Sequence, residues 1–484
     1  MFLAGRYFTT LPNRHRMNLC EDSEVMRTKE KEEVQGTIYS NADLKKLILP
    51  LIMEQLLAIL VGMLDTVMIS GVGEAAVSGV SLVDNINILI IQVFSALATG
   101  GAVVAGHALG QRNREEAGRS AWQMVLFLLY TSLLTTIILI GGHRTILRAV
   151  FGQVEDAVME NAATYLIITG LSICPLALYN GCAALFRAMG DSKTTMYISL
   201  LMNLLNLIGN ALLIFGFQMG VAGAAISTTF SRTVAAVLIF YLLFQGERDI
   251  HFRHRVTAKP QLGLIKKILY IGIPNGLENS LFQLGKLLLL SLVSTFGTSA
   301  IAANAVCGAV ANFNILPGMA IGMAILSVTS YCVGAGDYGQ ARYYTKKLMR
   351  VTSVCMIGVS LVMILICRKV LFLYHLTPET EELAVQVIRF HAVMCMFAWV
   401  PSFSLPNTLR AAGDVIWTMA IAIASMWVFR IGTAYFFSNV FHWGLIGIWV
   451  AMTIDWMFRG ICYEVRFHSG KWETAMHGKK VNML

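Results

Sequence analysis

The stretch LILPLIMEQLLAILVGMLDTVMIS, residues 47–70, decides the fold. Glu54 and Asp65 are its only charged residues. A bilayer core is crossed by about 20 predominantly apolar residues in a helix. The apolar residues run continuously and do not alternate with polar ones, as they would in a strand of a membrane barrel. The stretch therefore predicts a transmembrane helix.

Motifs of this segment and of later ones recur in the second half of the chain. PLIMEQ at residues 50–55 is matched by PNGLEN at 274–279, LFRAMGD at 185–191 by TLRAAGD at 408–414, and VAGAAIS at 221–227 by LIGIWVA at 445–451. The offsets are 224, 223 and 224 residues. Six predicted spans separate the copies, so both copies enter the membrane in the same direction. Such a parallel repeat predicts two similar bundles with a cleft between them.

The composition agrees with a membrane protein. Of 484 residues, 56% are hydrophobic and only 13% are charged, far below the quarter that is typical of soluble domains. Twelve apolar runs are predicted to span the bilayer. They lie at roughly 44–70, 85–109, 121–141, 161–184, 195–215, 221–244, 265–295, 300–333, 348–367, 384–407, 415–437 and 444–466. We predict an all-α membrane protein with twelve helices in two pseudo-symmetric six-helix bundles, a V-shaped two-lobe transporter.

The repeat and the runs together divide the chain. We predict a cytoplasmic N-terminal tail at 1–43, an N-lobe at 44–245, a basic cytoplasmic linker at 246–264, a C-lobe at 265–466 and a cytoplasmic C-terminal tail at 467–484.

The net charge of +9 sets the orientation. Of the 37 Lys and Arg, 28 fall on the side of both termini, 4 on the other side and 5 within spans. Under the positive-inside rule, both termini lie in the cytoplasm. A nucleic-acid partner is not expected, because the basic residues do not cluster on a water-soluble face.

These motifs resemble the multidrug and toxic compound extrusion (MATE) family. The resemblance rests on PLIMEQ, on LDTVMISGVG at 64–73, on the two RxxGD loops and on GVAGAA at 220–225, and it covers residues 44 to 466 in order. It is nearest to the bacterial DNA-damage-inducible branch. It implies an antiporter that exports organic cations and amphipathic drugs, with H+ or Na+ as the coupling ion and no other cofactor.

Two other functions are considered. A lipid-linked oligosaccharide or lipid flippase of the same superfamily would need a cleft rich in Arg and Lys, and the spans contain few of them. A membrane enzyme would need a catalytic motif such as HExxH or GxSxG, and the sequence has neither. The closed two-lobe layout also works as a monomer, which is the predicted oligomeric state.

Asp65 is the leading candidate for ion coupling. It lies deep in the first span, with no basic residue within four positions along the chain. An intramembrane carboxylate is costly and therefore a candidate functional residue, and exclusion from water favours its protonation near neutral pH. The alternative is a carboxylate held by hydrogen bonds for packing.

The resemblance implies partners for Asp65. Asn206, Asn210 and Thr228 correspond to the cation site of the N-terminal lobe, with Asn210 standing where the family usually has a carboxylate. With one carboxylate in place of two, only a weak Na+ site is expected at Asp65, Asn206 and Asn210. Asn206 and Asn210 are also one helical turn apart, and interhelical hydrogen bonding is the alternative role.

Further polar residues of the spans are candidates for the cleft or for gating. Glu54 and Glu278 occupy equivalent places one turn after Pro50 and Pro274. Lys286 is predicted either to face the cleft, where it would pair with Glu278 or Asp65 or repel cations when the site is occupied, or to be a snorkelling or paired lysine. Gln283 lies one turn before it.

A structural ion network is predicted for the last two spans. Asp455 and Arg459 are four residues apart on one helix face, and Arg430 is near enough in the preceding span to join them. His107 and His391 are predicted to be hydrogen-bonded more than ion-coupling.

Overall fold

The computed structural model describes residues 37–152, 155–245, 248–252, 259–372, 374 and 376–475. Within these ranges the chain is helical and contains no strand. Most of the predicted N-terminal tail, the centre of the predicted linker and the last nine residues of the predicted C-terminal tail lie outside the described residues.

Thirteen helices follow one another in the described chain. They are α1 (Asn41–Ser70), α2 (Glu74–Gly110), α3 (Arg114–Phe151), α4 (Asp156–Leu171), α5 (Ile173–Ala188), α6 (Ser192–Gly216), α7 (Gly220–Leu242), α8 (Leu262–Ser294), α9 (Thr298–Gly334), α10 (Tyr338–Phe372), α11 (Pro378–Ala411), α12 (Val415–Val440) and α13 (Gly444–His468).

These helices give the twelve predicted spans. Ten are long and apolar enough to cross a bilayer, and the pair α4 and α5, bent by 48°, makes an eleventh. Pro175 explains the bend, because its ring lacks an N–H and clashes with the carbonyl of Leu171. The twelfth is α8, which is 33 residues long but carries Glu278, Asn279 and Lys286 in its interior. The twelve-helix prediction is confirmed.

Three helices contain wider π-helical turns. These turns cover Ala211–Gly216 in α6, Cys395–Ser404 in α11 and Ser425–Gly432 in α12. Such turns rotate the side chains that follow them, and they are frequent at functional sites. The first begins directly after Asn210 and the third contains Arg430.

The repeat extends to the geometry of the turns. The helix α2 and its counterpart α9 begin and end 224 residues apart. Gly190 and Gly413, the glycines of the two RxxGD motifs, share a φ of 81°. In both, the amide of the following aspartate, Asp191 or Asp414, donates to a carbonyl five residues earlier at 2.9 Å. A residue with this left-handed φ closes a helix and is usually glycine.

The two lobes meet through glycines. We call the face of the bundle at which α1 begins and α13 ends the tail side. In its half of the molecule, Gly110 of α2 lies against the backbone of Tyr331, and Gly334 of α9 lies against the backbone of His107. A Cβ atom on either glycine would overlap these backbone atoms. Small residues therefore allow the two lobes to approach at backbone distance.

We predict that Gly334→Ala destabilises the protein. The new methyl group overlaps backbone atoms of α2 that cannot move aside, and such overpacking typically costs about 1–3 kcal/mol. The matched control is Gly308→Ala in the same helix, where an added Cβ meets open space. Thermal unfolding of the purified protein in detergent should show a lower midpoint for Gly334→Ala alone. Equal midpoints for the two variants would contradict the glycine contact.

Candidate functional site

A cavity of about 220 Å³ lies inside the N-lobe, among α1, α2, α4, α6 and α7. Its polar lining comprises Asp65, Thr66, Ser81, Asp84, Tyr165, Asn210, Thr228 and Arg232. Asp65 and Asp84 are partly exposed to this cavity, whereas Asn210 is buried. The cavity thus places two carboxylates and one guanidinium in the interior of the lobe.

Asp65 is bound by the two asparagines of α6. The side-chain amide of Asn210 donates to Oδ1 of Asp65 at 2.8 Å. In the amide orientation that satisfies both of its neighbours, Asn206 donates to Oδ1 and Oδ2 of Asp65 at 2.9 and 3.0 Å and accepts from the Thr228 hydroxyl at 3.1 Å. The structure therefore brings together the four residues that the resemblance implies. Their role in ion coupling stays a prediction.

The chain fixes this cluster locally. Asn206 and Asn210 are one helical turn apart, so both face α1. The hydroxyl of Ser227 in α7 donates to the backbone carbonyl of Asn206 at 2.7 Å. That bond holds α7 against α6 and keeps Thr228 within reach of Asn206.

One oxygen of the cluster lacks a partner. Oδ1 of Asn210 is buried and accepts no hydrogen bond from the described residues. Buried polar atoms normally have a partner, so an orphaned carbonyl oxygen next to a carboxylate is a ready ligand for a proton donor or a small cation.

Two charged residues of the cavity were missed in the sequence. Asp84 was excluded because the second span was predicted to begin at residue 85, whereas α2 begins at Glu74. Arg232 follows Thr228 by four residues, a spacing that places both on one face of α7 and was the available signal. It donates to the Ser172 hydroxyl at 2.9 Å and is attracted electrostatically to both Asp65 and Asp84.

The equivalent glutamates, Glu54 and Glu278, form equivalent ion pairs. Arg187 lies 3.4 Å from Glu54, and Arg410 lies 2.6 Å from Glu278. Both arginines belong to the repeated RxxGD motif. Glu54 also accepts from the Thr195 hydroxyl at 2.9 Å. Each pair is largely buried and therefore ties the first helix of a lobe to the fourth span or to its repeat.

The aspartates of the same motif each bind an arginine, although the two arginines are not equivalent by the repeat. Asp191 contacts Arg248 at 2.5 Å, and Asp414 contacts Arg466 at 2.7 Å. Asp191 also caps α6 by accepting from the Thr194 amide at 3.2 Å. The RxxGD motif is thus a structural joint on the tail side of each lobe.

The predicted ion network of the C-lobe is present. Asp455 contacts Arg459 at 2.7 Å and Arg430 at 3.6 Å, and it accepts from the Ser425 hydroxyl at 2.5 Å. Asp455 is 0% exposed, so these contacts compensate a fully buried carboxylate.

Lys286 lies beside this network. Its Nζ lies 5.2 Å from the ring centroid of Phe282, one helical turn earlier, and Gln283 is partly exposed nearby. The suggested pairing of Lys286 with Glu278 or Asp65 is not formed, because Glu278 pairs with Arg410 and Asp65 is bound by asparagines of the other lobe.

The two intramembrane histidines have ordinary partners. Nε2 of His107 lies 2.6 Å from the backbone carbonyl of Ala411, which joins the N-lobe to the C-lobe. The ring of His391 contacts the edges of Trp449 and Trp456.

Comparison with known proteins identifies the family. The MatE family model matches residues 50–212 and again residues 274–436, two blocks that begin at the repeated prolines. The chain belongs to the MatE family.

Curated MatE relatives are similar over most of their length. A probable multidrug resistance protein NorM from Thermotoga maritima is 27% identical over 438 residues, which cover 89% of this chain and 93% of the relative. An uncharacterized transporter YisQ from Bacillus subtilis is also 27% identical, with coverage of 87% and 93%. The chain is therefore a multi-pass membrane transporter of the MatE type, and the multidrug efflux resemblance is confirmed at the family level.

Solved structures share the MatE fold. A MOP superfamily transporter from Pyrococcus furiosus, whose binding pocket is described as having reverse polarity, superposes with a TM-score of 0.83 at 20% identity and covers 90% of this chain and 96% of its own. A multidrug resistance MATE family transporter in an outward-facing conformation gives the same TM-score at 20% identity, with coverage of 89% and 96%.

We predict that a double substitution restores the stability that is lost when the ion pair between Glu278 and Arg410 is broken. Arg410→Met alone leaves a buried, unpaired carboxylate, which costs about 3–5 kcal/mol. Arg410→Met combined with Glu278→Gln removes the charge as well and should recover most of the lost stability. The yield of monodisperse protein and its thermal midpoint measure both effects. A double variant no more stable than Arg410→Met would argue against the pair.

Proposed function

We propose that this protein is a cation-coupled antiporter that exports organic cations and amphipathic drugs by alternating access between its two lobes. It would act as a monomer in the cell membrane with both termini in the cytoplasm. The observation that carries the proposal is Asp65, a carboxylate inside a membrane span that borders a cavity and is held by neutral amides. The relatives named for multidrug resistance favour drug export over lipid transfer.

Asp65 would act by binding the coupling ion. Its carboxylate accepts from Asn210 and Asn206 on α6, so neutralising its charge weakens these charge-assisted hydrogen bonds. The π-helical turn of α6 begins directly after Asn210, which places a deformable element next to the bond that changes. Ion binding at Asp65 would therefore shift the balance between two packings of the N-lobe.

Ion and substrate would be linked through the same charge. A cationic substrate is attracted by Asp65 and Asp84, and a bound ion removes one of these charges. Binding of either ligand therefore lowers the affinity for the other, and this coupling is reciprocal. Entry of the ion would promote release of the drug.

The contacts of Asp65 favour H+ over Na+ as the coupling ion. The carboxylate oxygens of Asp65 already accept hydrogen bonds from side-chain amides. A hard cation such as Na+ instead requires several oxygen ligands around it. Arg232 adds a positive charge to the same cavity. The free Oδ1 of Asn210 is the feature on which a weak Na+ site would depend.

We predict that Asp65→Asn abolishes ion-driven efflux. The substitution keeps the size of the side chain but removes the charge that a proton or Na+ would neutralise. Purified protein in liposomes loaded with a fluorescent organic cation is exposed to a pH jump or to a Na+ gradient, applied separately. Wild-type protein should respond to the pH jump, and Asp65→Asn to neither gradient.

The control for this experiment is Asp156→Asn, which removes an exposed carboxylate from the first turn of α4. It should transport like the wild type. Full ion-driven transport by Asp65→Asn would refute the role of Asp65, and a response to Na+ alone would refute the choice of H+.

We also predict that Asn210→Asp makes transport dependent on Na+. The new carboxylate would lie within hydrogen-bond distance of Asp65, and two carboxylates at this separation repel each other unless a cation or a proton lies between them. Transport by the variant is measured with and without Na+ at constant pH. The control is Asn203→Asp, which adds a carboxylate to the same helix beside Ser199. Stimulation by Na+ in Asn210→Asp but not in Asn203→Asp would support position 210 as a cation ligand; no stimulation of Asn210→Asp would contradict it.

A further inference from the structure

Three cationic side chains surround one aromatic ring in the C-lobe. Lys286 Nζ, Arg430 Cζ and Arg459 Cζ lie 5.2, 5.0 and 5.3 Å from the ring centroid of Phe282. Arg459 also lies 4.7 Å from the ring of Phe403. We call Lys286, Arg430 and Arg459 the basic cluster.

The charges of this cluster do not balance within the described residues. Asp455 is the one carboxylate that contacts the cluster, and Arg459 and Arg430 share it. Lys286 has no described carboxylate within 4.0 Å, and Glu278 on the same helix is bound to Arg410. Arg430 also lies near His391, but this histidine brings no negative charge.

The guanidinium groups retain unused donors. Nε of Arg430 and Nε of Arg459 are buried and donate to no described acceptor, although these residues are only 7% and 2% exposed. Unpaired donors and excess positive charge are both costly in a low-dielectric interior, and both costs fall when an anion binds.

A ligand can reach the cluster at Lys286. The side chains of Arg430 and Arg459 are buried, but that of Lys286 is exposed and its neighbours Phe282 and Gln283 are partly exposed. Phe282 contacts arginines of α12 and α13, so this face of α8 points to the inside of the C-lobe and not to lipid. Phe403 is partly exposed, packs edge-to-face against Phe282 and supplies an apolar surface, with the buried Trp399 stacked behind it.

We propose that the basic cluster binds the anionic group of an amphipathic substrate, such as a carboxylate, while the apolar body of that substrate packs against Phe282 and Phe403. The preferred substrates would then be zwitterions, in which a carboxylate is joined to the cationic, amphipathic body that the proposed function assigns to the substrate. The inference rests on the proposed export function and narrows its substrate class. Arginine and lysine donors with an adjacent aromatic surface are suited to such a ligand.

A matched pair of dyes tests the proposal. Rhodamine 6G is an ethyl ester with one positive charge, and its free acid is a zwitterion with a carboxylate. Binding of both to the purified full-length protein in neutral detergent is followed by fluorescence anisotropy. The wild type should bind the acid more tightly than the ester. Lys286→Gln should weaken binding of the acid about tenfold and change binding of the ester by less than twofold.

Two further variants separate a binding role from a structural one. Lys286→Arg should retain the preference for the acid, because it keeps the charge and the donors. Lys266→Gln removes an exposed lysine near the beginning of the same helix and should bind both dyes like the wild type. Equal losses for acid and ester in Lys286→Gln, or no loss for either, would overturn the anion site.

Two further measurements identify the source of the anion and distinguish a failure of this inference from a failure of the proposed function. Micelles with added phosphatidylglycerol that displace the acid from the wild type, but not from Lys286→Gln, would support the site with a lipid headgroup as a second ligand. Failure of a pH jump or a Na+ gradient to drive export of either dye would refute the proposed antiport. The anion site would still stand or fall on the binding of the acid.

Discussion

The cost of an ionised group inside a bilayer shapes this structure. Each such group loses several kcal/mol of hydration unless it finds a partner or a wet cavity. Glu54 and Glu278 meet this requirement by pairing with Arg187 and Arg410 from the RxxGD motifs. Because the same pair recurs in both lobes, it fixes the first helix of each lobe in the same position. The helices that lie between the paired residues are positioned by it as well.

The two lobes differ at their candidate sites. The tail side repeats its ion pairs and its glycine turns, but the interiors of the lobes carry opposite charge. The N-lobe cavity holds Asp65 and Asp84 with one arginine, whereas the C-lobe holds three cations around Phe282 with one carboxylate. A shared frame with different interiors is how one repeated scaffold can treat an ion and a substrate group differently.

The sequence carried the fold and part of the site. Long apolar runs and a repeat at a fixed offset predicted the twelve spans, and i,i+4 spacing placed Asn206 with Asn210 and Asp455 with Arg459 on common faces. The partners of Glu54 and Glu278 were not predicted, because they lie more than 130 residues away in the chain and only tertiary packing brings them close. Asp84 was not predicted as a site residue because a charge marks the end of an apolar run in the sequence. In the structure it lies ten residues inside a helix.

The contact between the lobes combines close backbone packing with shared apolar side chains. The glycines Gly110 and Gly334 pack backbone against backbone, and apolar side chains of α8 also join the buried apolar cluster of the N-lobe. A side-chain hydrogen bond at this contact joins His107 to the carbonyl of Ala411, the residue after Arg410. Arg410 is itself fixed by Glu278. The acceptor carbonyl is therefore held in place by an ion pair of its own lobe, so the hydrogen bond with His107 ties the end of α2 to that pair.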